Sequence, residues 1–305
     1  MKKTVFTNPV FVTLFALLCT ALWGSATPFI KTGYLHLNVE GTWSIILFAG
    51  IRFALAGILT VIICSIIDRK FLYPKKESIR YVGTISIFQT VLQYIFFYIG
   101  LANTSGVKGT ILSGSSAFFS ILVATLVFRQ EKLTLKKIIA CIIGFAGVIV
   151  VNLDGLKLNF NFFGDGFVIF SAISLAFSSV LMKIYSAHEN PVVLSGYQFI
   201  VGGLVMIGIG LAFGGTVSLA SPTGICILVY LAFLSAVAYA LWGILLKYNP
   251  VSKVTIFSFM IPVFGVILSK LILTESSAVS FLNVLVALVL ICVGIITVNY
   301  QKNKS

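Results

Sequence analysis

GIRFALAG, residues Gly50 to Gly57, and GYQFIVGG, residues Gly196 to Gly203, carry a glycine, a phenylalanine and a glycine in the same places. Both lie inside long apolar runs. The first run, from Trp43 to Ile67, holds Arg52 about ten residues from its nearer polar end. At about 1.5 Å per helical residue this arginine is about 15 Å deep, near the middle of a hydrocarbon layer about 30 Å thick. A stretch written twice, with a cation in mid-membrane in one copy and Gln198 in the other, poses the question of architecture.

Other matches keep the same order along the chain. Glu131 pairs with Glu275, Leu101 with Leu245 and Val107 with Val251. Val151-Asn152 and Val298-Asn299 close the two halves, and Lys31 and Lys183 end the first apolar run of each. The offset drifts by a few residues, as changes of loop length cause. The chain therefore divides into a repeat at 1–152 and a second at 153–305.

Apolar runs of 17 or more residues number ten by this reading: Pro9–Ile30, Thr42–Ile67, Tyr81–Leu101, Gly106–Phe128, Lys136–Asn152, Asp165–Lys183, Val193–Phe213, Pro222–Leu246, Val251–Leu273 and Phe281–Asn299. The run after Lys2 and Lys3 is long enough to span, so it reads as the first span and not as a cleaved signal. Five spans per half is an odd number, so the second half enters the membrane from the opposite side. The expected fold is all-α and integral to the membrane: ten transmembrane helices as two inverted five-helix repeats around a central cavity, the plan of secondary transporters.

Composition agrees. Of the 305 residues, 59% are hydrophobic and 10% charged, against about 25% charged in soluble domains. Mean hydropathy is +1.10. The net charge of +13 sits between apolar runs, which fits membrane orientation and not a nucleic-acid surface. With the N-terminus inside, 16 Lys and Arg face the cytoplasm, 4 face outward, and Arg52 completes the 21. Both termini are thus expected in the cytoplasm, with the chain in the cell membrane. Cys19, Cys64, Cys141, Cys226 and Cys292 lie within apolar runs without metal-ligand spacing, and His36 and His188 stand alone in connections. No metal, cofactor or phosphate-binding loop is expected.

Helical spacing groups the polar residues. Gln89 and Gln93 share one face with Ser86 and Phe97. Serine stripes run along the fourth and sixth spans, and Ser235, Tyr239 and Trp242 share a face of the eighth. Trp23 lies deep in the first span, while Trp43 has the place of an interfacial anchor. Packing explains the serines as well as a cavity does. A buried glutamine amide leaves donors and an acceptor unmet, so Gln89 and Gln93 favour the cavity. Trp23 and Trp242 fit either a packed core or a wall on which substrate stacks. Arg52 reads either as a tie to a neighbouring helix's carbonyls or as the positive charge of a binding site. Glu131 and Glu275, at matched span ends, read as helix-end pairs or as a gate.

Along its whole length the chain resembles the EamA-like transporters of the drug/metabolite transporter superfamily. The matching residues are Trp23-Gly24, Arg52-Phe53, Glu131, Pro262 and Glu275. A proline usual in the family's fourth span is replaced here by Phe118. The resemblance implies ten helices around a cavity and export or import of small metabolites.

No span interior contains Asp, Glu or His, which argues against aspartyl or zinc-dependent intramembrane enzymes and leaves no mid-membrane proton carrier. The leading expectation is a secondary transporter, an exporter of amino acids or related carboxylate-bearing compounds. Its substrate site is drawn from Trp23, Arg52, Gln89, Gln93, Tyr239 and Trp242, in a monomer or homodimer whose partners are the bilayer and a small molecule. Efflux of organic cations, nutrient uptake and a non-transporting scaffold are the alternatives.

Overall fold

The computed structural model of the chain describes residues 4–153, 160–272 and 281–299. Regular structure among them is helical throughout. In chain order come α1 (Pro9–His36) and α2 (Gly41–Ile67). Next are α3 (Ile79–Ile85) and α4 (Gln93–Ala102), joined by a π-helical segment, Ser86–Leu92. They are followed by α5 (Gly106–Gly114) and α6 (Ser116–Leu122), the latter running into a π turn at Val123–Val127, and then by α7 (Leu135–Val151). The later part holds α8 (Phe167–Tyr185), α9 (Pro191–Ala212), α10 (Pro222–Tyr248), α11 (Val251–Thr255), a 3-10 turn at Ile256–Phe259, α12 (Met260–Ile272) and α13 (Phe281–Asn299).

Nine stretches among the described residues are long and apolar enough to cross a bilayer, so the chain is a multi-pass membrane protein. The expected span Lys136–Asn152 falls on α7, whose 17 residues make a helix of about 25 Å, shorter than the other nine. Helix starts follow local chemistry. Asn8, Asn190 and Ser221 cap α1, α9 and α10 by accepting from the N–H groups of Val10, Val192 and Gly224. Each is followed at once by a proline, whose missing N–H is one of the groups a helix start leaves unpaired in any case.

The two quoted stretches meet. A Cβ on Gly50 would lie 2.9 Å from the Gly203 carbonyl oxygen, and one on Gly57 would overlap the carbonyl of Gly196. Phe53 stacks on Phe199 with ring centroids 5.1 Å apart and planes at 7°. So α2 and α9 cross antiparallel with backbones in contact, as only glycine permits. The first glycine of each copy meets the last of the other. A second seam repeats the pattern: Gly147 on α7 faces the Ala287 carbonyl on α13, and Gly294 on α13 faces that of Ala140 on α7. Likewise α1 packs on α12, and α6 on α8.

The fourth predicted span is broken at Ser115 without a proline, since the cap at Ser105 starts α5 and a new helix begins at Ser116. In the stretch 251–272 the 3-10 turn precedes Pro262. That proline has no N–H for the Ser258 carbonyl four residues earlier.

Candidate functional site

A cavity of about 240 Å³ opens between the helices of the first and second halves. Every residue expected at the substrate site from the sequence lines it: Trp23, Arg52, Gln89, Gln93, Tyr239 and Trp242. They arrive from α1, α2, the π segment, the start of α4, and α10. Arg52 is the only Lys, Arg, Asp or Glu among the described lining residues.

Arg52 is 3% exposed. Its Nη2 donates to Ser235 Oγ at 2.9 Å, and its Nε reaches Ser235 Oγ and the Leu231 carbonyl, both at 3.3 Å. Ser235 can accept because its own proton goes to the Leu231 carbonyl, at 2.8 Å. The guanidinium carbon also sits 5.0 Å from the Phe53 ring centroid, a distance at which the ring's negative face attracts a cation. No bond from Nη1 to the protein is found among the described residues. Arg52 thus does both things the sequence allowed: it ties α2 to α10, and it lines the cavity.

Aromatic rings form one wall. Trp23 meets Tyr239 and Trp242 edge-on, at 4.9 and 5.0 Å between centroids. The Tyr239 hydroxyl pairs with that of Tyr94 at 2.8 Å. Gln93 is 8% exposed, and its Oε1 has no hydrogen-bond partner among the described residues, nor has Trp23 Nε1. Cavity-lining serines bond back to their own helices, Ser113 to Gly109, Ser120 to Ser116 and Ser178 to Leu175. They are polar to the cavity without being unsatisfied.

Two aromatic residues of the cavity escaped the sequence reading. Tyr94 and Tyr98 line the cavity together with Gln93 and Phe97. A straight α-helix through Gln89 and Gln93 presents Phe97 and Gly100. The π segment carries i→i+5 bonds and changes the helix phase, turning a second file of residues inward. Gln198, expected as the uncharged counterpart of Arg52, does not line the cavity. Its Oε1 accepts from Thr90 and its carbonyl from Ser86, both at 2.6 Å.

Glu131 stands apart from the cavity. It accepts from Lys137 Nζ at 2.7 Å and from the backbone N–H of Ser252 at 3.2 Å, and the Ser252 hydroxyl bonds the same carboxylate. Burial opposes its ionisation, but the bonds from Lys137 and Ser252 outweigh that and hold its pKa below the ordinary value. A residue at the end of one span therefore caps the start of α11 in the other half. Glu275 lies outside the described residues.

An all-helical membrane protein whose two halves enclose a small cavity walled by aromatic rings and one cation has the form of a small-molecule carrier. The EamA-like transporter family model matches the chain twice, over residues 10–153 and 162–300. The chain belongs to the EamA-like transporter family, and it is a membrane transporter. An uncharacterized transporter of Archaeoglobus fulgidus is 25% identical over 264 residues, covering 85% of this chain and 88% of that one. The transporter YvbV of Bacillus subtilis is 25% identical over 314 residues, 100% of this chain and 95% of the other. A chloroplastic WAT1-related protein of Arabidopsis thaliana is 25% identical across 100% of this chain and 71% of its own. A solved crystal structure superposes with a TM-score of 0.75 at 16% identity, over 94% of this chain and 97% of that one. At that identity the likeness is one of fold.

Proposed function

We propose that this chain is a secondary transporter that moves small metabolites across the cytoplasmic membrane, exporting carboxylate-bearing compounds such as amino acids. The observation that carries the reading is Arg52, a guanidinium at the cavity wall whose only hydrogen-bond partners among the described residues are neutral. An Arg side chain can offer its remaining N–H groups to a carboxylate in fixed geometry. The cavity's volume is below the roughly 300–1,000 Å³ of pockets for drug-sized ligands, which fits a metabolite better than a bulky organic cation.

The architecture in this reading is two inverted five-helix repeats, with α7 the fifth of ten spans. The reciprocal seams support it, because close glycine contacts pair α2 with α9 and, in the same reciprocal way, α7 with α13. The double match of one family model supports it too. Each half then serves in turn as the closed side while the other opens, with Glu131 and, in the matched place, Glu275 as gate residues.

The test is counterflow in proteoliposomes loaded with candidate substrates. Radiolabelled small carboxylates are expected to exchange and quaternary ammonium compounds to stay out. Exchange of the ammonium compounds without any carboxylate would overturn the reading.

A further inference from the structure

Within the carboxylate class the cavity's charge is more selective than Arg52 alone requires. We infer that the site prefers a small monoanion, one carboxylate with an uncharged hydrogen-bonding group beside it, over a zwitterion or a cation. 2-Hydroxy acids and N-acyl amino acids are of this kind. The inference rests on the carboxylate reading of the proposed function and narrows it to monoanions, putting the hydroxy and N-acyl relatives of amino acids in place of the zwitterionic amino acids themselves.

Three observations carry it. First, among the described lining residues Arg52 is the one charged group, and none is a carboxylate. A monoanion brings the cavity to neutrality, whereas a zwitterion adds an ammonium that must leave water with no anion of the protein to receive it. Second, Gln93 is more than nine-tenths buried, and among the described residues its Oε1 is an acceptor without a donor. That atom is neutral and suits a hydroxyl or amide N–H, which loses far less hydration on entering than an ammonium does. Third, among the described residues Trp23 Nε1 is a donor without an acceptor. A hydroxyl or amide can both donate and accept. An ammonium only donates, so it leaves the indole N–H unanswered.

The Trp23, Tyr239 and Trp242 rings are the obvious objection, because such a wall attracts cations. Here those rings meet one another edge-on. The Arg52 guanidinium already lies over Phe53 and adds like-charge repulsion within the same cavity. The wall is left to the apolar body of the ligand.

The experiment uses the full-length wild-type protein in proteoliposomes and four probes of nearly one shape: 3-phenyllactate, phenylalanine, 3-phenylpropionate and phenethylamine. A second set, 2-hydroxyisocaproate and leucine, removes the ring. Competition at neutral pH is expected to rank the hydroxy acid at least about tenfold above the amino acid in each set, the scale of one uncompensated charged group. Phenylpropionate, which lacks the hydroxyl, is expected to fall between them. Phenethylamine is expected not to compete. Amino acids competing as well as or better than their hydroxy counterparts would overturn this inference and leave the carboxylate function standing. Phenethylamine competing while no carboxylate does, or no probe of either set competing, would overturn both.

Discussion

An arginine in mid-membrane raises the cost of insertion by about 2.5–3.5 kcal/mol on translocon scales, and Arg52 meets it with neutral partners. Ser235 and the Leu231 carbonyl hold one edge of its guanidinium and the Phe53 ring lies beneath. Replacing it by Gln is expected to leave insertion intact and to weaken carboxylate binding by at least about tenfold, the scale of one lost charged hydrogen bond. Arg52→Lys, which keeps the charge on a shorter reach, is expected to restore part of that. Unchanged binding in the Gln variant would make Arg52 a helix tie alone. That its partners among the described residues are neutral was legible in the sequence, where no span interior holds Asp, Glu or His. Its partner was not, because Ser235 faces α2 only through the rotation that packing imposes on α10. Tyr94 and Tyr98 were hidden for a related reason, since the π segment before them breaks the 3.6-residue period on which the assignment of faces rests.

At the scale of elements, the lining helices differ in continuity. α1, α2 and α10 are continuous, while the stretches 79–102, 106–127 and 251–272 each contain a π or 3-10 interruption. Pro262 marked the last of these in the sequence, but serine-rich turns such as that at Ser115 carry no comparable signature. Glu131 secures one interrupted stretch to another through Ser252. Its folded pKa is lowered from an ordinary value of 4.5. The stabilisation is therefore fully present above that value and is lost as pH falls through the folded pKa. Glu131→Gln is expected to lower the Tm at pH 7 and to lose that deficit relative to wild type in acid. A deficit that stays constant from pH 7 to well below 4.5 would show that packing, not the carboxylate's charge, sets it.

For the whole molecule, the residues of the α2–α9 contact were legible because helix contacts of the closest kind demand glycine, and glycine is visible in a sequence. Gly50, Gly57, Gly196 and Gly203, which match between the two quoted stretches, are the residues at which α2 and α9 touch. The span expected at 136–152 falls on a helix of 17 residues, short because polar residues bound it closely at both ends. The orientation expected from the basic residues, with both termini in the cytoplasm, is open to direct measurement. On an otherwise cysteine-free chain, Lys70→Cys is expected to react with an impermeant thiol reagent only in permeabilised cells, and Leu219→Cys in intact ones. The reverse pattern would invert the topology. One consequence concerns light. Of the chain's three tryptophans, Trp23 and Trp242 are 5.0 Å apart in the cavity wall, while Trp43 stacks on Phe213 well away from it. Two indoles so close share their excited states. Near-ultraviolet circular dichroism and intrinsic fluorescence therefore report mainly on what occupies the cavity, and the protein carries its own optical gauge of binding without a label.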